Sequence, residues 1–301
     1  MMTDWKGIFP AMTTSFTDDY QIDQAAMEQR IEGQIEAGVD GLVMCGSLGE
    51  NGALSAAEKQ DILKIAVSVS NGRVPVLMSV AETTTAQACT CAEKAVATGA
   101  DGLMVLPGMQ YVSDPRETVQ HMRTVAAATE LPIMIYNNPV AYGTDITPEA
   151  FAELADEERF VALKESSADV RRLSEIIKLT GDRYRLFVGV DNLALESFML
   201  GADGWVAGLV NALPNETVVL FQLAKQGRYD EARQLYRWFL PLLDLDVDSK
   251  FIHYIKLVGS KVDVCTETVR PPRLPLAGEE RAAVEGIIAE ALANRPELPK
   301  I

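Results

Sequence analysis

Three short stretches carry side chains that together could do covalent chemistry. In "FVALKESS" (160–167) an apolar run leads straight into Lys164, a residue type rarely buried without a partner. An amine delivered into an apolar pocket loses proton affinity, because desolvation disfavours the ammonium. The neutral amine can add to a carbonyl and form a Schiff base, whose protonated imine acidifies the neighbouring carbon. A proton carrier must stand beside it, and Tyr136 in "IMIYNNP" (133–139) ends another apolar run with a phenol. The third stretch, "CGSLGEN" (45–51), is built of small residues. There the successive N–H groups of Ser47, Leu48 and Gly49 can form a concave site for a carboxylate. Each stretch also has a plain reading: a snorkelling lysine paired with Glu50 or Asp191, a core tyrosine, and an ordinary strand-to-helix turn.

The elements that must position these groups announce themselves through an internal repeat. "AGVDGLVM" (37–44), "TGADGLMV" (98–105) and "LGADGWVAG" (200–208) each set Gly-x-Asp-Gly between a helical pattern and a short apolar run. A glycine just past a helix suits the left-handed position there, and the apolar run suits a strand buried on both faces. On that basis eight strands are expected near 8–16, 41–46, 74–80, 102–107, 132–137, 160–165, 185–189 and 204–209. Helical patterns such as 23–37, 57–70, 86–98 and 116–129 separate them, and Ser55 with Glu58 matches a capping box. Eight alternating units predict an α/β fold, a (β/α)8 TIM barrel. A doubly wound sheet is the alternative, but "GIFPAMTTSF" carries no phosphate fingerprint after the first strand. Residues 1–213 are read as the barrel that carries the site, and 214–301 as a C-terminal helical extension packed on it. The extension holds helices near 215–226, 229–245, 249–260 and 278–293.

Barrel sites gather at the C-terminal ends of strands. Besides the three stretches, those ends supply Thr13-Thr14, "SVAETTT" (79–85), "LPGMQY" (106–111), "GVDN" (189–192) and "AGLVN" (207–211). Lys164 and Tyr136 are thus the candidate catalytic pair. Ser47, Leu48, Gly49, Asn138, Gly189 and Gly208 are the candidate substrate contacts. The net charge of −16 argues against nucleic acid and anionic membranes as partners. No run approaches the roughly 18 apolar residues of a membrane span, and no secretory signal opens the chain, so a cytosolic location is the expectation. Cys45, Cys89, Cys91 and Cys265 read as buried free thiols, and with two histidines a metal centre is not expected. No cofactor is expected beyond the imine itself.

Gly46-Ser47-Leu48-Gly49-Glu50, Tyr136-Asn137-Asn138-Pro139 and a lysine 28 residues after the tyrosine resemble the dihydrodipicolinate synthase/N-acetylneuraminate lyase superfamily over essentially the whole chain. The resemblance implies a class I lyase with Lys164 as Schiff-base lysine and Tyr136 as proton shuttle. It implies Ser47 and the Ser47–Leu48 amides as the carboxylate site, Glu50 as a structural part of the turn, and a homotetramer built as a dimer of dimers. The chain departs from dihydrodipicolinate synthases at Ser47-Leu48, where those carry two threonines. It departs again at Met109 and Tyr111, near a tip that is aromatic there, and at Ala141-Tyr142, where a substrate-binding arginine is missing. With "YRWFLPLLDLD" (236–246), these loops look closest to the 1-pyrroline-4-hydroxy-2-carboxylate deaminases of hydroxyproline degradation. A small 2-oxo acid or cyclic imine carboxylate is therefore the expected substrate. The alternatives are a 2-keto-3-deoxy sugar acid aldolase or dehydratase, a dihydrodipicolinate synthase, and a non-catalytic keto-acid sensor.

Overall fold

The computed structural model describes residues 4–108 and 110–301. Eight parallel strands alternate with helices: β1 (Gly7–Pro10), β2 (Leu42–Met44), β3 (Val76–Val80), β4 (Gly102–Val105), β5 (Ile133–Asn137), β6 (Phe160–Glu165), β7 (Arg185–Val188) and β8 (Gly204–Ala207). The sheet runs β1-β8-β7-β6-β5-β4-β3-β2. It closes where Ala11 bridges Val43 and the Met12 N–H donates to the Val43 carbonyl at 2.9 Å. The fold is a (β/α)8 barrel, as expected. The first strand is shorter than its apolar run: beyond Ala11 the chain leaves the ladder, and the Thr13 N–H bonds the Asn211 side chain instead.

The repeat explains itself once folded. Its first glycines, Gly38, Gly99 and Gly201, take φ of 90°, 94° and 103°, a conformation that side chains with a Cβ rarely adopt. The aspartates do more than turn the chain. Asp40 accepts the Ile8 N–H, Asp101 the Val76 N–H and Asp203 the Leu186 N–H, at 2.8–2.9 Å. Each aspartate, standing just before one strand, thus ties down an amide of the neighbouring strand. The second glycines make room for aromatic rings. A Cβ at Gly41 would lie 2.2 Å from Phe9, one at Gly102 2.5 Å from Trp5, and one at Gly204 2.4 Å from Phe187.

Helices wrap this core: α1 (Gln24–Glu36), α2 (Ala56–Ser70), α3 (Thr85–Thr98), α4 (Pro115–Ala127), α5 (Pro139–Tyr142), α6 (Pro148–Glu153), α7 (Arg171–Thr180) and α8 (Ala194–Met199). The Ser55–Glu58 capping box opens α2, and Asp114 with Glu117 forms a second one on α4. The extension adds α9 (Pro214–Lys225), α10 (Tyr229–Leu243), α11 (Phe251–Lys261) and α12 (Gly278–Ala293). The third of these was expected from 249 and the second to 245. Instead α10 stops at Leu243 and a short 3-10 turn, Asp244–Val247, links it to α11. Among the described residues no helix is long and apolar enough to cross a membrane. The four cysteines are free, but only Cys45 is buried; Cys89, Cys91 and Cys265 are partly exposed, because they sit on helices and a connector rather than in the barrel.

Candidate active site

Parallel pairing places Tyr136 of β5 directly beside Lys164 of β6. Both side chains are 6% exposed, and the Lys164 Nζ stands 4.2 Å from the centre of the Tyr136 ring. Lys164 makes no ion pair among the described residues, and the plain reading of a paired lysine fails here. Glu50 is held elsewhere, and Asp191 spends no hydrogen bond on the amine. Burial holds the Lys164 amine below its ordinary pKa, while Asp246, Tyr142 and Asp191 pull it back up. Burial also pushes the Tyr136 phenol up to about 12. A lowered proton affinity at the amine, beside a phenol that keeps its proton, favours imine formation and proton transfer.

The backbone at Gly189 leaves room for the lysine. A Cβ there would lie 2.5 Å from Lys164 Cε and 2.0 Å from Ser166 Oγ, so this glycine serves the amine by its missing side chain. Gly208 behaves alike toward a different group: its would-be Cβ falls 2.1 Å from Asp246 Oδ1. Its N–H is not free for a ligand, since it donates to Asp191 at 3.1 Å. Asp191 also accepts from Trp205 Nε1 at 2.9 Å and the Leu209 N–H at 2.8 Å. This buried carboxylate is thereby saturated.

Ser47, Leu48 and Gly49 form the turn after β2, with Cys45 and Glu50 at positive φ on either side. Among the described residues their three amides have no hydrogen-bond partner, which leaves them free for an anion. Gly49 is packed against the barrel floor of the turn, where a Cβ would meet the Met12 carbonyl at 2.8 Å. Glu50 is fully buried and binds Lys256 Nζ of α11 at 2.6 Å and the Arg270 N–H at 3.0 Å. It locks the turn to the extension, in keeping with a structural role.

Asn138 supports the phenol rather than facing a ligand alone. Its Nδ2 donates to the Tyr136 oxygen at 3.0 Å, while its Oδ1 caps the Ala141 N–H at 2.9 Å. That cap forms the single turn α5, which carries Tyr142 inward. The Tyr142 hydroxyl meets Ser47 Oγ, and its ring stands edge-on to Tyr136 with centroids 6.2 Å apart. Tyr142 was expected only as the place of a missing arginine; the structure puts it in the site. Asp246 was not singled out at all. Met109 lies outside the described residues, and Tyr111 is 60% exposed.

A model of the dihydrodipicolinate synthetase family matches residues 4–291. Curated relatives named 4-hydroxy-tetrahydrodipicolinate synthase include one from Pelobacter propionicus, 30% identical over 93% of this chain and 96% of its own length. Another, from Geotalea uraniireducens, is 32% identical over 95% of this chain and 98% of its own. Among solved structures, a dihydrodipicolinate synthase of Bacillus anthracis superposes with a TM-score of 0.92 at 28% identity, covering 98% of this chain and all of that one. A family member from E. coli K12 in complex with pyruvate gives 0.90 at 27% identity, covering 96% and 99%. The chain belongs to the dihydrodipicolinate synthetase family, a family of class I lyases.

Proposed function

We propose that this protein is a lysine-dependent lyase that captures a small 2-oxo acid or cyclic imine carboxylate as an imine on Lys164. The observation that carries this reading is the buried Tyr136–Lys164 pair, in register on neighbouring strands. Ser47 and the free amides of Ser47 and Leu48 hold the carboxylate, and Tyr136 moves protons between the imine, the adjacent carbon and water. No cofactor takes part. A homotetramer is carried forward from the family resemblance, and sedimentation of the purified chain checks it.

Two substrates divide the remaining choice. The names of the curated relatives back a 4-hydroxy-tetrahydrodipicolinate synthase better than they back a deaminase. The side chains around Lys164 pull the other way. Among the described residues, the ionisable groups that act on its charge are Asp246, Tyr142 and Asp191, two carboxyls and a phenol. That surrounding favours a substrate with one carboxylate and a hydroxyl, as in 1-pyrroline-4-hydroxy-2-carboxylate. There the lysine opens the ring, water is lost, and ammonia leaves with 2-oxoglutarate semialdehyde. Incubation with this pyrroline is expected to release ammonia. Condensation of pyruvate with aspartate semialdehyde, and no ammonia, would decide for the synthase.

Replacing Tyr136 by Phe keeps the ring and removes the proton carrier. Turnover is expected to drop about 10²–10³-fold with the melting temperature nearly unchanged. Steady-state kinetics beside thermal unfolding check it, and an unchanged kcat would rule the phenol out.

A further inference from the structure

The single turn α5 holds two parts of the barrel mouth at once. Asn138, at its start, donates to the Tyr136 oxygen at 3.0 Å, and Tyr142, at its end, reaches Ser47 with its hydroxyl. Val140 between them is 73% exposed, so the turn does not rest on burying its own apolar surface. What fixes it is hydrogen bonding along its flanks. The Asn138 side chain caps the Ala141 N–H, and the Asn138 carbonyl accepts the Tyr142 N–H at 3.0 Å. Beyond Gly143, which takes a φ of 77°, the buried Thr144 hydroxyl accepts the Ser113 N–H at 3.2 Å. Asn137 then closes the loop: its Oδ1 accepts the Ile146 N–H at 2.9 Å, and its Nδ2 donates to Asp145 at 3.0 Å. The Tyr142 ring is thus delivered on a pinned frame, edge-on to Tyr136, whose own ring lies against the Lys164 amine.

The Ser47–Tyr142 pair has two hydroxyl protons and one hydrogen bond between them, so one proton is left to point elsewhere. A phenol is more acidic than an alcohol and is the better donor. Tyr142 therefore gives its proton to Ser47 Oγ, and the serine proton remains. Beside it the amides of Ser47, Leu48 and Gly49 have no partner among the described residues. One hydroxyl and three amides on one turn make a set of donors suited to an anion.

We propose that Tyr142 is a positioning residue that sets the Ser47 hydroxyl as a donor to the substrate's carboxylate, and so fixes the affinity of the site for charged 2-oxo acids. This rests on the reading that Lys164 forms the imine and Ser47 holds the carboxylate. Tyr142 acts through Ser47. Without the phenol the serine hydroxyl is free to rotate, and its bond to the carboxylate weakens.

Borohydride trapping on Lys164, followed over a range of pyruvate concentrations, compares the unaltered protein with Tyr142→Phe, Ser47→Ala and the double variant. Tyr142→Phe keeps the ring beside Tyr136 and removes only the hydroxyl. Its half-saturating pyruvate concentration is expected to rise roughly 5–10-fold, with the maximal trapping rate within about twofold, which also shows that it folds. Ser47→Ala should rise at least as far, and adding Tyr142→Phe to it should change the value by less than about twofold. Methyl pyruvate, the uncharged ester, is the control: with it Tyr142→Phe should stay within about twofold of the unaltered protein. An unchanged half-saturation in Tyr142→Phe, an equal loss with the ester, or additive losses in the double variant would each overturn the proposal and leave the imine on Lys164 standing. A collapse of the maximal rate in Tyr142→Phe would overturn it too, because the hydroxyl would then serve more than the carboxylate. No trapping of pyruvate by the unaltered protein would instead refute the lysine-imine reading, and the proposal would fall with it.

Discussion

Lys164→Ala is expected to abolish turnover, by on the order of 10⁴-fold or more, the scale on which a covalent nucleophile acts. The argument is chemical before it is structural. Without the amine no imine forms, and neither Tyr136 nor the amides of Ser47 and Leu48 can acidify the carbon next to a free ketone to a comparable degree. Lys164→Arg should fail equally, since a guanidinium stays protonated and cannot attack. In the unaltered protein, borohydride reduction with pyruvate should add one reduced pyruvate at Lys164 and nowhere else. Burial lowers the pKa of this lysine, so the neutral fraction, and with it the trapping rate, should climb as pH rises through that depressed pKa. Peptide mapping by mass spectrometry reads the site directly. An unmodified Lys164 under these conditions would end the Schiff-base reading, and the sensor alternative would then gain ground.

The second large effect is on stability. Glu50 and Lys256 form an ion pair at 2.6 Å with side-chain exposures of 0% and 1%, and Lys256 Nζ also donates to the Thr268 carbonyl at 2.7 Å. Lys256→Met removes the principal partner and leaves a fully buried carboxylate with only the Arg270 N–H at 3.0 Å and the Arg273 guanidinium at 3.6 Å. The expected loss is about 3–5 kcal/mol, which for a chain of this size lowers the melting temperature by roughly 10 °C. Replacing both partners with Met should recover a good part of that loss, because two apolar side chains leave no orphan charge. The double-mutant cycle, followed by chemical or thermal unfolding, measures the coupling. Additive losses would show that the pair is not coupled. Because Glu50 follows directly on the carboxylate turn, Lys256→Met should also weaken pyruvate trapping, through loosening of Ser47 and Leu48.

What could be read from the chain was governed by sequence distance. The barrel was legible because each Gly-x-Asp-Gly unit is local, and the strand runs that follow are buried on both faces. Lys164 and Tyr136 were legible because strand ends point to one mouth whatever the tertiary detail. The first strand was overextended, since its apolar run continues past the point where Asn211, from the far side of the barrel, takes over the Thr13 amide. Tyr142 entered only through the cap that Asn138 places on a single helical turn, which leaves no periodic signal. Asp246 was invisible for a stronger reason. It sits in a run of acidic and apolar residues that reads as the end of a helix, and only the folded extension brings it to Gly208. Gly189 and Gly208 were read as ligand contacts. The structure gives them first the task of leaving space, for Lys164 and for Asp246.

The aspartates of the repeat have a consequence at the opposite end of the barrel from the chemistry. Asp40, Asp101 and Asp203 each hold an amide of the adjacent strand, and a strand shifted by one residue would leave that carboxylate without its amide and turn its core side chains outward. They therefore act as stops against slippage at three of the eight seams, including the β1–β2 seam, where the ladder is thinnest. Loops at the mouth can then vary in length and composition without the strands sliding beneath them. New substrates become reachable by changing the rim while the floor keeps the count.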